Sequence, residues 1–364
     1  MLKPIHHVAC SPALRACRGL QERLLAWLCE PATTPVALTQ ANVPGPSAIE
    51  AQWLWALLEK TDDKRPLLER ARVLAAMTHA EKTALLAWGQ SVAALAAQFQ
   101  PNPPPWPARP PAIPPVAWRA LKELMEAFYE KGLKTGLPYA PDGAPVAAGG
   151  VSYADFVRAF REAHRLNPDP KAREVCVLCG GPLGSMPEVD HWIAKHAFPL
   201  LSVCAYNLLP ICGDCNSTSN KGSKDVFGPD GFQAWFHPYL RPGTGAMALG
   251  YAPLDMTVTL AATHPADEAR VGNLNRLLNL TDRWTREFKM EYAKQQGILK
   301  GRERKRLHQG EPRHTQAEVT AFAQDYLDDL FASEPFHEVH QVLANALLEQ
   351  ARLDAWQTEL VQVT

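Results

Sequence analysis

Four cysteines fall into two matched pairs, Cys176-Val-Leu-Cys179 and Cys212-Gly-Asp-Cys215, with 32 residues between them. Two thiolates three apart on a tight turn reach one ion, and two such turns complete a tetrahedral zinc site. Gly180, Gly181 and Gly213 suit turns of that kind. A thiol redox motif would need a single pair. Four thiolates also close the coordination sphere, so the expected Zn2+ holds the fold and takes no part in catalysis. Interleaved with the cysteines is a second cluster. It runs Glu188-Val189-Asp190-His191-Trp192-Ile193, then Asn207-Leu208-Leu209-Pro210-Ile211, then Cys215-Asn216, then Asn220-Lys221-Gly222. These residue types suit metal-assisted hydrolysis, which needs an activated water, a cation to neutralise developing charge, and in-line geometry. A neutral His191 can take the water's proton near pH 7. Asp190 offers a hard carboxylate oxygen to Mg2+ or Mn2+. Neighbours on a strand point to opposite faces, so a bend is needed for Asp190 and His191 to serve one site.

The order of the second cluster resembles the HNH (ββα-metal) endonucleases, with Asp-His on a strand, Asn before an apolar strand, and a CxxC leading into a helix with Asn and Lys. The resemblance covers roughly 50 of the 364 residues. It implies a small zinc-stapled ββα module that cleaves DNA, leaving 5′-phosphate and 3′-hydroxyl ends. It implies His191 as general base, Asp190 and Asn216 as ligands of the catalytic metal, and Asn207 as the residue that orients the His191 loop through backbone hydrogen bonds. The chain departs from the family in three places. Lys commonly stands three residues after the Cys-Asn asparagine, whereas here Asn216-Ser-Thr-Ser leads to Asn220-Lys221. Asn216 and Asn220, four apart, would share a helical face, so either can supply the metal-binding amide. Ala194 stands where the family often has Pro, and no Gly pair precedes Asn207. Lys221 and Lys224 are candidate phosphate contacts, and His196 is a weaker one.

The elements around this module read as mainly α. Pro101 to Pro115 holds nine prolines and reads as a polyproline-like spacer. Before it, residues 1–100 read as a helical domain. Ser47 with Glu50, and Thr78 with Glu81, are capping boxes, and Leu85, Trp88, Val92, Leu95 and Phe99 form one helical stripe. Residues 116–170 carry a helix through Trp118, Leu121, Met125 and Phe128, ending near Gly132. A further short helix opens at Ser152 and Asp155. The nuclease-like module is placed at 171–240. Residues 241–364 are mainly helical, with a strand over Met256–Leu260, a Thr315/Glu318-capped helix and a last amphipathic helix over Val339–Leu360.

The net charge of −1 carries none of the basic excess common in free-standing nucleic-acid binders, so a DNA-binding field must be local or supplied by a partner. The densest basic run is Lys300-Gly-Arg-Glu-Arg-Lys-Arg306. From Asp282 to His314 there are ten Lys/Arg against five Asp/Glu, a stretch suited to phosphate contacts that read no sequence. The Asn273-Leu-Asn275-Arg276 segment loosely resembles the Leu-Asn helix that trails the module in some bacterial defence nucleases. No signal peptide or membrane span is visible, which gives the expectation of a cytoplasmic protein with no membrane partner. In such a reducing setting clustered cysteines bind metal, while the unpatterned Cys10, Cys17, Cys29 and Cys204 are inert. Helical regions around a compact nuclease fit an effector recruited by other protein subunits, such as a bacterial antiphage system or a guide-RNA-bearing CRISPR complex. The other reading is a non-catalytic zinc-stapled subunit that binds nucleic acid or protein.

Overall fold

The computed structural model describes residues 2–62, 65–185, 187–229 and 231–364. Met1, at the head of the segment read for a signal peptide, lies outside the described residues. The chain is mainly α, and its described strands form two-stranded antiparallel hairpins.

Helix α1 (Ser11–Cys29) starts at a proline in its first turn and buries Leu14, Leu20, Leu24 and Leu28. α2 (Ala48–Glu59) begins where the Ser47 hydroxyl accepts the Glu50 N–H. The Glu50 carboxylate in turn accepts from the buried Tyr139 hydroxyl at 2.7 Å. A short hairpin of β1 (Thr61–Asp62) and β2 (Arg65–Pro66) leads into α3 (Leu67–Ala75). α4 (His79–Ala93) follows, with the Thr78/Glu81 capping box formed at its start. Leu85, Trp88 and Val92 on α4, and Leu95 and Phe99 on the 3-10 turn after it, are all buried.

Residues 101–115 do not act as the expected spacer. Trp106 packs 5.2 Å from Phe198, 4.8 Å from Phe227 and 4.9 Å from Phe232, ring centre to ring centre. The Trp88 indole donates to the Pro107 carbonyl at 3.0 Å, and the Gln98 amide donates to Pro104 at 3.2 Å. Residues 1–100 therefore share one apolar core with the rest of the chain instead of standing apart. Burying a large aromatic such as Trp106 offsets the chain freedom that a polyproline stretch would otherwise keep.

α5 (Pro115–Ala127) runs into a π-helical turn, Phe128–Leu133, and α6 (Tyr153–Arg165) carries a Ser152/Asp155 capping box. β3 (Glu188–His191) pairs antiparallel with β4 (Leu208–Ile211), setting Asp190 opposite Leu209 and His191 opposite Leu208. A single helical turn, α7 (Gly213–Asn216), follows. α5 contributes Met125, whose carbonyl accepts from Gln21 of α1 at 2.9 Å and from Ser202 at 2.7 Å. The N-terminal helices and α5 thus form the wall against which this hairpin and its loop are set.

Past the hairpin, β5 (Met247–Ala252) and β6 (Thr257–Ala262) pair antiparallel. β5 had no legible alternation because only Met247 on it is buried. α8 (Glu268–Leu278) and the long α9 (Leu280–His308) meet at Asn279, in the left-handed region at φ 51°. α10 (Gln316–Asp328) has the expected Thr315/Glu318 box. The single helix expected over 339–360 is two, α11 (His337–Leu347) and α12 (Gln350–Val361). The break falls at Glu349, extended at ψ 135°, whose carboxylate accepts the Tyr251 hydroxyl of β5 at 2.5 Å. Beyond it α12 folds back on α9, with the Trp356 indole donating to Tyr292 at 2.9 Å. Among the described residues no helix is long and apolar enough to cross a membrane.

Candidate functional site

The two CxxC turns converge. The first closes through Gly180 N–H to the Cys176 carbonyl and Cys176 N–H to the Gly181 carbonyl, both 2.8 Å, with Gly180 at φ 73°. In the second, Cys212 caps α7 and Cys215 lies within it. All four thiols are buried, and Sγ of Cys176 lies 3.8 Å from Cys215 while Sγ of Cys179 lies 3.8 Å from Cys212. A tetrahedron with Zn–S bonds of about 2.3 Å has edges of about 3.8 Å, so the sulfur set fits one zinc ion. Hydrogen bonds from Cys176, Cys179 and Cys215 hold the Cys212 thiol well below the usual cysteine range.

Two side chains of α9 attach to this cluster. The Arg283 guanidinium lies 3.3 Å from Cys215 Sγ, and the Trp284 indole donates to the Cys179 carbonyl at 3.0 Å. Four thiolates around Zn2+ would leave two negative charges, and Arg283, its side chain 9% exposed, would offset one of them. Nothing in the spacing of Arg283 marked this role. The remaining cysteines are buried and unpaired. Burial pushes Cys10 up to about 11 and Cys29 up to about 12, far from reactive thiolates.

Next to the cysteine cluster an open cleft of about 360 Å³ is lined by Asp190, His191, Asn216, Glu126, Lys195 and His196, among others. β3 ends at His191 and the chain bends at Trp192 and Ile193, so both neighbours reach the cleft. His191 Nε2 lies 2.8 Å from the Ser202 carbonyl. A carbonyl only accepts, so Nε2 carries the proton and Nδ1 keeps its lone pair. Burial, with Lys195 adding to it, holds His191 down to about 3, so the ring is neutral at pH 7. The Tyr129 ring meets it edge-on at 4.6 Å.

Lys221 is not the surface phosphate contact expected of it. It is fully buried, and its ammonium donates to the His191 carbonyl at 3.0 Å and the Gly222 carbonyl at 3.1 Å. The same Nζ sits 3.1 Å from Asp190 Oδ2, close enough to attract but not aligned for a hydrogen bond, since Oδ2 has no hydrogen-bond partner. Burial raises the Asp190 carboxyl and Lys221 opposes that shift. Lys224 stays exposed, donating to the Ser219 carbonyl at 2.6 Å.

Asn207 is completely buried and binds backbone on three sides. Its Oδ1 accepts from Ile193 N–H at 2.7 Å, and its Nδ2 donates to the carbonyls of Ile193 at 2.9 Å and Leu201 at 3.1 Å. It holds the loop between β3 and β4 and stands outside the cleft lining. The shared helical face expected for Asn216 and Asn220 does not form, because α7 stops at Asn216 and Ser217 is extended at ψ 154°. Asn216 lines the cleft and donates to Glu188 Oε2 at 2.5 Å. Asn220 turns back on α7, donating to the Asp214 carbonyl at 2.7 Å in place of the missing helical turn.

Glu126 reaches the cleft from α5, some 64 positions before Asp190 in sequence, and no motif pointed to it. Burial raises its carboxyl, with Lys195 and Lys122 opposing. His196 is exposed, 4.0 Å from Asp225. The basic run on α9 is partly spent internally. Lys300 pairs with Glu359 at 2.7 Å, Arg306 pairs with Glu318 at 2.7 Å, and Arg302 stands 4.8 Å over the Phe322 ring. Arg304 and Lys305 remain exposed. In the Asn273–Arg276 segment the Asn273 amide donates to the Ala234 carbonyl at 2.8 Å and Asn275 accepts from Thr281 N–H at 3.0 Å, both packing roles.

No protein-family model matches the chain. A stretch of 67 residues is 37% identical to protein ea31 of Escherichia phage lambda, covering 18% of this chain and 21% of that protein. The chain therefore spans about a fifth of the curated relative it matches. No solved structure matches.

Proposed function

We propose that this chain is a divalent-metal-dependent endonuclease of the HNH type that hydrolyses DNA phosphodiester bonds. The observation that supports this most is the meeting of Asp190, His191 and Asn216 in one open cleft beside a zinc-compatible cysteine cluster. Asp190 and Asn216 are the residues that would hold Mg2+ or Mn2+, which when bound would neutralise charge on the phosphoryl and leaving oxygens. His191 Nδ1 carries the lone pair that takes a proton from the attacking water, while the Ser202 carbonyl fixes the ring through Nε2. Asn207 does not touch the reacting groups but sets the loop that carries the histidine. Lys195 and His196 lie on the rim, and because the Lys195 ammonium is paired with Glu130, its contact with a phosphate oxygen requires that pair to open.

A second reading has its own support. The ammonium of Lys221 already faces Asp190 Oδ2, and His191 is nearly enclosed, as in a zinc-stapled module that only binds nucleic acid or protein. Plasmid nicking with Mg2+ or Mn2+ separates the two. We expect His191→Ala to lower nicking by about 10²- to 10⁴-fold, the usual contribution of a positioned general base. Activity equal to wild type in that variant removes His191 from the mechanism. A wild-type protein inert in every metal and with every DNA form favours the binding reading. The near-neutral charge and the internally paired basic run fit recruitment by other subunits of a defence or CRISPR-type complex. Efficient cutting by the isolated chain would argue against recruitment.

A further inference from the structure

One turn along α9 from the residues that clasp the cysteine cluster lies a separate group of metal-binding side chains. Glu287 and Glu291 stand one helical turn apart on α9, and His340 faces them from the first turn of α11. A ligand atom from each lies within 4.8 Å of the others. His340 is 4% exposed. Its Nε2 is 3.0 Å from Glu287 Oε1, and its Nδ1 is 3.2 Å from Glu334 Oε1 yet has no hydrogen-bond partner. The Tyr326 hydroxyl of α10 is a further buried orphan, its phenol pushed far up by burial and by Glu291, Glu334 and Glu287.

The side chains of this group carry an excess of negative charge. Three carboxylates surround one imidazole. Glu291 is met by the neutral Gln295 amide at 2.7 Å and by Lys294, a largely exposed ammonium. Even a protonated His340 together with Lys294 leaves one negative charge in excess. The misaligned Nδ1 also shows that a proton there is not satisfied by Glu334. The cost of that excess falls on the buried Glu291 and His340, since Glu287 and Glu334 keep 20% and 32% of their side chains in water, and a held cation would lower it.

We propose that Glu287, Glu291 and His340, the last through Nε2, hold a second divalent transition-metal ion, Zn2+ or Mn2+, while Glu334 stands at Nδ1 on the other side of the imidazole. One imidazole and several carboxylates form a mixed N/O set that suits these ions over Ca2+. Three protein donors leave a position for water, and because they come from two helices the ion's part is to join them. It clamps α9 to α11, and those two helices hold the cysteine cluster through Trp284 to the Cys179 carbonyl and Phe336 N–H to the Gly180 carbonyl at 2.7 Å. Gly181 lies so close to the Phe336 ring that a Cβ there would stand 2.6 Å from it, which shows how tightly α11 seats on that turn.

The test uses the full chain carrying Asp190→Asn, so that a metal in the cleft does not enter the count. Zn2+ or Mn2+ is titrated in, loosely held ion is removed by gel filtration, and metal content and melting temperature are read. The expected result is one more equivalent of metal than in the same protein carrying His340→Gln, with a larger metal-induced rise in melting temperature when His340 is present. Glu291→Gln, nearly isosteric, provides the same comparison if His340→Gln does not fold, and it too should lose the extra equivalent. Equal metal content with and without these substitutions would overturn the proposal. So would a metal-induced rise in melting temperature that His340→Gln leaves unchanged, which identifies the group as a protonated ion-pair hub.

Discussion

Lys221→Met removes the ammonium facing Asp190 and keeps an unbranched side chain of similar length. Lys221 is 0% exposed and the Asp190 side chain 10%, so the pair sits almost wholly out of water. Deleting one partner of a buried pair costs about 3–5 kcal/mol, because the other charge is left without compensation. The carbonyls of His191 and Gly222 also lose a charged donor, at about 1–3 kcal/mol for each one left unsatisfied. These effects overlap, and the cleft lets water reach Asp190 in part, so about 4 kcal/mol at pH 7 is the expected loss. The pH dependence has a definite sign. Burial already raises the Asp190 carboxyl and Lys221 opposes it, so the variant raises it further. An acid whose folded pKa lies above its unfolded one binds more protons when folded, so stability falls as pH rises from the ordinary aspartate value through the raised one. The deficit against wild type is therefore largest at neutral pH and shrinks toward about pH 4, where Asp190 is protonated in the variant. Urea unfolding of both proteins at the two pH values reads this directly. Adding Asp190→Asn should restore part of the loss, giving a coupling of about 1–3 kcal/mol. A deficit below about 1 kcal/mol that is the same at both pH values would refute the reasoning, because it would mean that the pair is hydrated.

Cys212→Ser should lose both zinc and the cooperative unfolding of the hairpin region, measured by metal content and circular dichroism; a folded, zinc-loaded variant would remove the four-sulfur assignment. Arg283→Met takes away the charged contact to Cys215 and should weaken zinc retention by about 10- to 100-fold in a chelator competition, leaving the fold intact. Asn207→Ala deletes three buried hydrogen bonds and should cost about 2–4 kcal/mol in urea, with any surviving nicking activity reduced through loop disorder at His191 and not through metal affinity.

What the sequence determined by itself are the features written in local spacing. Paired cysteines three apart need only a tight turn, so the four-sulfur cluster was legible, and so were the capping boxes at Thr78, Ser152 and Thr315, where side chain and backbone three residues on must meet. The Leu85–Phe99 stripe followed from the helical period alone. Only the tertiary structure could decide matters that depend on partners distant in sequence. Lys221 reads as a surface charge until the hairpin folds over it and Asp190 takes its ammonium. Glu126 has no motif, and only the packing of α5 against the β3–β4 loop brings it to the cleft. The proline run reads as a free spacer because its composition forbids helix, but composition says nothing of Trp106 finding Phe198, Phe227 and Phe232. That Asn216 and not Asn220 lines the cleft turned on one residue, Ser217, leaving the helix. Helical spacing assumes that a helix continues, and the competing hydrogen bonds at Asp214 that end it have no period to read.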